Sequence, residues 1–166
     1  MAQLTSILGT DTISSSRGVI NNNFQSLNAQ SQVIYKSSVQ TTVSSVLVND
    51  SELLVPIQAN ETLGVVLKLV GESGITPDFK YTFNAPIGTV GYFADDDAFS
   101  SATSVGGIRT ISGPGPNTPF IGGINGVFIN NSVAGTIQFQ WAQNVNTVSS
   151  VTSVFKGSNI IVTKLN

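Results

Sequence analysis

The chain has 166 residues and a formal net charge of −2; 40% of its residues are hydrophobic and only 10% are charged. This length accommodates one well-buried domain with a small appendage. The chain has no histidine and no cysteine, which excludes disulfides, ordinary zinc sites and the Ser-His-Asp and Cys-His catalytic arrangements.

The first predicted element is a helix at residues 13–30, ISSSRGVINNNFQSLNAQ. Ile13, Ile20 and Leu27 are seven residues apart, and Arg17 and Phe24 occupy the intervening position, which gives the 3-4 spacing of a narrow helix-packing seam. The rest of the helix is rich in Ser, Asn and Gln, so it is marginal on its own in water. We predict that these five side chains form an oligomer or anchor interface. The alternative is that the chain's own β domain covers them.

From Val33 onward, apolar residues alternate with polar ones in short segments separated by turn residues, which is typical of β-strands. Pro56 predicts a strand end or a sheet edge, because proline cannot donate to a ladder. The almost continuously apolar segment 63–70 predicts a central strand covered on both faces. The side chains expected in the core are Phe79, Phe83, Phe139 and Trp141. The predicted strands are Glu52–Ile57, Leu63–Val70, Phe79–Phe83, Thr89–Phe93, Gly126–Asn130, Thr136–Trp141 and Asn159–Leu165.

Residues 95–123 contain the acidic run Asp95-Asp96-Asp97 and a Pro/Gly-rich stretch, and they predict one extended loop. Clustered carboxylates suit a hard cation such as calcium, but the spacing of a known calcium loop is absent. A solvated acidic loop is therefore the favoured interpretation, and we predict no metal site.

The pattern as a whole predicts an all-β, jelly-roll-like antiparallel sandwich with a short N-terminal α-helix. Residues 1–32 are expected to form an anchoring or oligomerisation segment, and residues 33–166 the β-sandwich domain. The scattered basic residues argue against nucleic-acid binding. No apolar run reaches membrane-spanning length and no export signal opens the sequence, so we expect the chain to be made and to fold in a cytoplasm.

Several segments resemble virion structural proteins of tailed bacteriophages. The N-terminal stretch GTDTISSSR, followed by INNNF, resembles a segment common in such proteins, and TPDFKYTFNAP resembles a β domain of phage fibre and capsid-decoration proteins. The C-terminal FQWAQN, with the later KGS, is similar to the end of that domain. The resemblance covers nearly the whole chain.

The resemblance implies a homotrimer without catalysis or cofactor, displayed on the outer surface of the capsid as a decoration protein, a cement protein or a short head fibre. Its partners would be the major capsid protein or another virion protein. The alternative is a tail-fibre or receptor-binding tip that recognises a host-surface glycan, with Tyr92, Phe93 and Phe99 as candidates for an aromatic platform. An enzyme would have to use carboxylates alone, and the candidates would be Glu52, Glu61 and Asp78.

Overall fold

The computed structural model describes residues 5–6, 12–28, 30–96 and 101–166. The predicted helix is present and ends two residues earlier than expected. The elements are α1 (Ile13–Asn28), β1 (Ser31–Tyr35), β2 (Gln40–Thr42), β3 (Val48–Ile57), β4 (Thr62–Glu72), β5 (Phe79–Asn84), β6 (Val90–Asp95), β7 (Thr103–Ser104), β8 (Arg109–Ile111), β9 (Pro119–Ile129), β10 (Gly135–Gln143), β11 (Thr152–Val154) and β12 (Asn159–Lys164).

The strands form two antiparallel sheets that face each other. The larger sheet has the order β1-β12-β4-β9-β6-β7, with β11 and β2 continuing beside the end of β4. The smaller sheet has the order β3-β10-β5-β8. Successive strands β3, β4 and β5 alternate between the sheets, and β6 and β7 are an insertion that widens the larger one. Without β6 and β7, the sheets β1-β12-β4-β9 and β3-β10-β5-β8 have the eight-stranded jelly-roll arrangement. This confirms the predicted fold class.

An aromatic cluster fills the space between the sheets. The rings of Phe79 and Trp141 stack at 5.8 Å between centroids with an interplanar angle of 10°. Phe83 makes an edge contact at 5.5 Å with Phe128, which belongs to the opposite sheet. Phe79, Phe83, Phe139 and Trp141 are all fully or almost fully buried, as predicted. Each such side chain contributes about 1.5–3 kcal/mol through burial.

The prediction that residues 95–123 form one extended loop is wrong for much of that segment. Two short strands, β7 and β8, lie inside it, and β9 begins at Pro119 rather than at residue 126. Glycine is disfavoured in strands, so the sequence PFIGGINGVFI does not have a strand's usual signature. Two of the glycines are needed for packing: a Cβ on Gly126 would lie 2.9 Å from the ring of Phe128, and a Cβ on Gly123 would lie 2.8 Å from that of Asp96.

The expectation that the segment Leu63–Val70 is covered on both faces is also wrong for the chain alone. β4 is central, between β12 and β9, and Leu63, Leu67 and Leu69 point into the core. On the other face Val66 is only half-buried and Lys68 is exposed. An apolar strand therefore presents a partly open outer face.

Two smaller features concern strand ends. Pro56 lies in β3, an edge strand of the smaller sheet, opposite Thr136, which confirms the prediction from its missing N–H. The predicted boundary between the N-terminal segment and the β domain, at residue 32, lies inside β1.

Candidate functional site

The apolar seam of α1 faces away from the sandwich. Ile13, Ile20 and Phe24 are 82%, 41% and 61% exposed, and Arg17 is exposed beside them. Ile13, Arg17 and Ile20 line one shallow depression of the helix surface, which places them on a common side as their spacing requires. The side chain of Leu27 lies outside the described residues.

Local contacts tie the helix to the domain on other sides. Its main contact with the sandwich is with β1, the next element along the chain. The backbone N–H of Lys164 donates to the Gln30 carbonyl at 2.8 Å, which fixes the chain where it enters the sheet. Asn23 exchanges two hydrogen bonds of 2.9 Å with the backbone of Thr5. A polar side of α1 thus contacts the chain itself, while the apolar side is left open.

The helix gains little stability from its own sequence. Its first turn carries no acidic residue and its last turn no basic residue, so no charge within these two turns complements the helix dipole. Gly18 and the three consecutive asparagines have low helix propensity. Because the seam is exposed, the described part of the sandwich covers little of its apolar surface. Other copies of the chain or a partner protein are the remaining candidates to cover it.

A second apolar surface lies on the outside of the larger sheet, where sequence reasoning placed no site. Val66 of β4, Tyr92 of β6, Val127 of β9 and Leu165 after β12 line an open groove of about 690 Å³. Tyr92 and Val127 are opposite one another in the β6–β9 ladder and are 57% and 45% exposed. The signal in the sequence was the continuous apolar run of β4, whose outward half the described residues cover only in part.

The aromatic platform expected for a receptor-binding tip is not assembled from the described residues. Phe93 is buried in the core, where its ring packs edge-on at 5.2 Å against Phe83. Phe99 lies outside the described residues. Tyr92 is exposed on the outer face of the larger sheet.

The three carboxylates considered for hydrolysis each accept hydrogen bonds from the backbone of a different segment. Glu61 accepts a hydrogen bond from the backbone of Gln58 at 2.7 Å and pairs with Lys164 at 3.1 Å. The carboxylate of Asp78, a residue with a φ of 48°, accepts a hydrogen bond from the backbone of Gly113. These contacts hold turns and strand ends in place.

Glu52 accepts hydrogen bonds from Ser37 and Ser38, at the bend between β1 and β2. The backbone N–H of Ser37 donates to it at 2.6 Å and that of Ser38 at 3.1 Å, and both serine hydroxyls also donate. These hydrogen bonds lower the pKa of Glu52 to about 2, and the one from the Ser38 hydroxyl lowers it most. A carboxylate this firmly ionised is poorly suited to act as a general acid or base near neutral pH.

Asp95 and Asp96 of the acidic run point in opposite directions, and Asp97 lies outside the described residues. Asp95 is at the end of β6 and points inward, where it accepts hydrogen bonds from the Tyr81 hydroxyl and from Nε of Arg109 at 2.9 Å. Burial raises the pKa of Tyr81, and the hydrogen bond to Asp95 and the charge of that residue raise it further. Asp96 points outward and pairs with Lys68 at 3.4 Å. The interpretation as a solvated loop is therefore wrong for Asp95, which joins the two sheets.

Two other kinds of site are absent from the described part of the chain. Residues 5–6, 12–28, 30–96 and 101–166 contain no group of three acidic, His or Cys side chains able to hold a metal ion. The same ranges contain no helix that is long and apolar enough to cross a membrane.

No protein-family model matches the chain, and neither does any curated protein sequence. Among solved structures, the tripod of the baseplate of bacteriophage Tuc2009 is similar at 12% identity and a TM-score of 0.38, with 99% of this chain and 98% of that chain covered. A structure of infectious bursal disease virus strain Gx gives 11% identity and a TM-score of 0.25, with 81% and 37% covered. The VP2 subviral particle of that virus gives 8% identity and 0.25, with 82% and 38% covered. These low scores establish neither a family nor a function for the chain.

Proposed function

We propose that the chain is a non-enzymatic structural protein of a tailed-phage virion, a homotrimeric capsid decoration or cement protein or a short head fibre on the outer capsid surface. The observation that carries the proposal is the exposed apolar seam of α1, formed by Ile13, Arg17, Ile20, Phe24 and, from its spacing, Leu27. The resemblance of the sequence to phage fibre and decoration proteins supplies the trimeric state and the virion location.

The proposed mechanism is surface complementarity. The neutral, hydrogen-bonding surface of the chain loses little hydration when another neutral surface covers it. The seam of α1 packs either against the same helix in sister subunits or against the major capsid protein or another virion protein. A protein that binds the assembled shell and not its free subunits stabilises the shell by mass action.

The test is attachment to purified phage particles that lack the protein. Phe24→Asp places a charge in the seam, and we expect at least a tenfold loss of particle occupancy and of self-association. Asn22→Asp is the matched control, because Asn22 is exposed and lies about half a helical turn from the seam. Occupancy is measured by quantitative gel densitometry of sedimented particles, and subunit number by analytical ultracentrifugation.

Two results would contradict the proposal. One is that Phe24→Asp leaves both occupancy and subunit number equal to those of the wild type and of Asn22→Asp. The other is that the wild-type chain binds no part of the virion.

Host-cell adsorption tests the rival function. A receptor-binding tip would require the isolated wild-type protein to bind host cells or a purified surface glycan. Under the proposed function it binds particles and leaves host cells unlabelled.

A further inference from the structure

The two outer faces of the sandwich differ in chemistry. In a half-wet antiparallel sheet, polar residues are expected on the solvent side. The two central strands of the smaller sheet follow this rule on their outward side. Those side chains are polar except for the small Ala142 near the end of β10: Lys80, Thr82 and Asn84 in β5, and Thr136, Gln138 and Gln140 in β10.

The larger sheet does not follow the rule. Its outward positions carry Val, Ile, Leu and Tyr on five neighbouring strands, and ladder pairs place Val33 beside Ile161, Ile161 beside Val66, and Tyr92 beside Val127. Between β4 and β9 the ladder sets Val66 opposite Asn125 and Val127 opposite Gly64. The outer-face residues are Val33, Val66, Val90, Tyr92, Val127, Ile129 and Ile161, with Leu165 beside them. Because both faces belong to one domain with one composition, a general bias toward β-branched residues does not explain the difference. Apolar patches of this breadth on a protein surface mark contact sites.

The charges on this face indicate what covers it. Lys68 and Asp96 lie at one end of the face and pair with each other at 3.4 Å, so together they contribute no net charge. The same face in sister subunits that is turned toward a common three-fold axis therefore meets no electrostatic repulsion, and it offers no charge that would select an acidic or a basic partner.

The outer face also continues toward the helix. Val33 and Tyr35 of β1 are each 61% exposed on the same side, and β1 is the edge strand that follows α1. Gly64, Ala94 and Thr163 lie between the larger side chains of the face. The number of residues in the face and the seam, counted together, approaches the roughly 20–30 residues per partner of a standard stable interface.

We propose that the outer face of the larger sheet, centred on Val66, Tyr92 and Val127, is the surface through which the β domain binds a second copy of this chain. The proposal rests on the proposed function, because it names the surface that holds the homotrimer together once the helices have brought the subunits into contact. It also accounts for the apolar outward half of β4, which a sister subunit then covers.

The absence of cysteine from the chain permits a direct test by single-cysteine labelling. Tyr92→Cys and Val127→Cys place a thiol on the outer face, and Thr136→Cys places one on the exposed outside of the smaller sheet. In the assembled protein we expect maleimide to label Tyr92→Cys and Val127→Cys at least tenfold more slowly than Thr136→Cys. Dilution below the association midpoint should abolish the difference.

A second measurement uses charge. Val127→Glu should raise the association midpoint in analytical ultracentrifugation at least tenfold, while Thr136→Glu should leave it within twofold of the wild type. Circular dichroism of both variants establishes that each has folded. If Val127→Glu does not fold, the labelling rates of the two cysteine variants decide the question.

The results separate this proposal from the proposed function. If the oligomer persists in Val127→Glu and the thiols of Tyr92→Cys and Val127→Cys are labelled as fast as that of Thr136→Cys, the outer face is not the subunit interface, although attachment through the helix can still hold. If the outer face is protected and Val127→Glu dissociates the oligomer while no virion part binds the chain, the interface stands and the virion role fails. Protection that appears only after phage shells are added would assign the face to a shell protein and overturn the proposal of a second copy.

Discussion

Lys36 and Asp50 form an ion pair inside the protein, with Nζ of the lysine 2.9 Å from Oδ1 of the aspartate and both side chains fully buried. The same Oδ1 accepts hydrogen bonds from the backbone N–H groups of Glu52 and Leu53, and Oδ2 accepts one from Nε1 of Trp141 at 3.2 Å. Lys36 follows β1 of the larger sheet and Asp50 lies in β3 of the smaller sheet. The pair therefore connects the two sheets at the point where β3 loses its regular register with β10.

Removing one member of this pair should be costly. Lys36→Met leaves Asp50 buried without its counter-ion, and we expect the free energy of unfolding to fall by about 3–5 kcal/mol. The control is Lys68→Met, which removes an ion pair whose two side chains are about half exposed, and its effect should stay under about 1 kcal/mol. Urea denaturation at one protein concentration measures both. Equal, small effects would show that the buried pair does not stabilise the fold.

Glu52 should make stability depend on acid pH. Its pKa is about 2 in the folded chain and near 4.5 in a free side chain. Its contribution is therefore complete above about pH 4.5 and is lost as the pH falls toward 2, because the unfolded state takes up the proton first. Glu52→Gln should flatten this part of the curve of unfolding free energy against pH. Glu72→Gln gives the background slope, and an unchanged slope in Glu52→Gln would contradict the assignment.

The neighbouring acids Asp95 and Asp96 should differ sharply on substitution. Asp95→Ala leaves the buried Tyr81 hydroxyl and Arg109 without their shared acceptor, at a cost of about 1–3 kcal/mol in unfolding free energy. Asp96→Ala removes an exposed partner and should change it by no more than about 0.5 kcal/mol. Thermal unfolding measures the difference. If Asp96→Ala proves as costly as Asp95→Ala, the inward and outward assignments are wrong.

Gly18→Ala should strengthen the helix without touching its seam. A Cβ at Gly18 would meet nothing within 4 Å, and alanine is favoured over glycine in helices by about 1 kcal/mol. We expect a larger ellipticity at 222 nm and a particle occupancy at least equal to that of the wild type. A loss of occupancy would mean that a partner contacts the helix near Gly18 instead of along the seam.

Periodicity placed the core strands because it is a local property of the chain. In β10 the alternation of Ile137, Phe139 and Trp141 with polar residues identifies both the strand and its buried face, since successive side chains point to opposite sides. The helix was equally readable from the spacing of Ile13, Ile20 and Phe24. Strand β9 was not, because Gly123 and Gly126 are explained only by the side chains of Asp96 and Phe128 that pack against them.

The sequence by itself determined the fold class, the aromatic core and the presence of a helix with an apolar seam, all of which follow from patterns within a few residues. Only the tertiary structure decided that Asp50 meets Lys36, that Asp95 turns inward while Asp96 turns outward, and that the outer face of the larger sheet is apolar and open. Each of these depends on strand order and register, which join residues far apart in the chain and leave no local signal in the sequence.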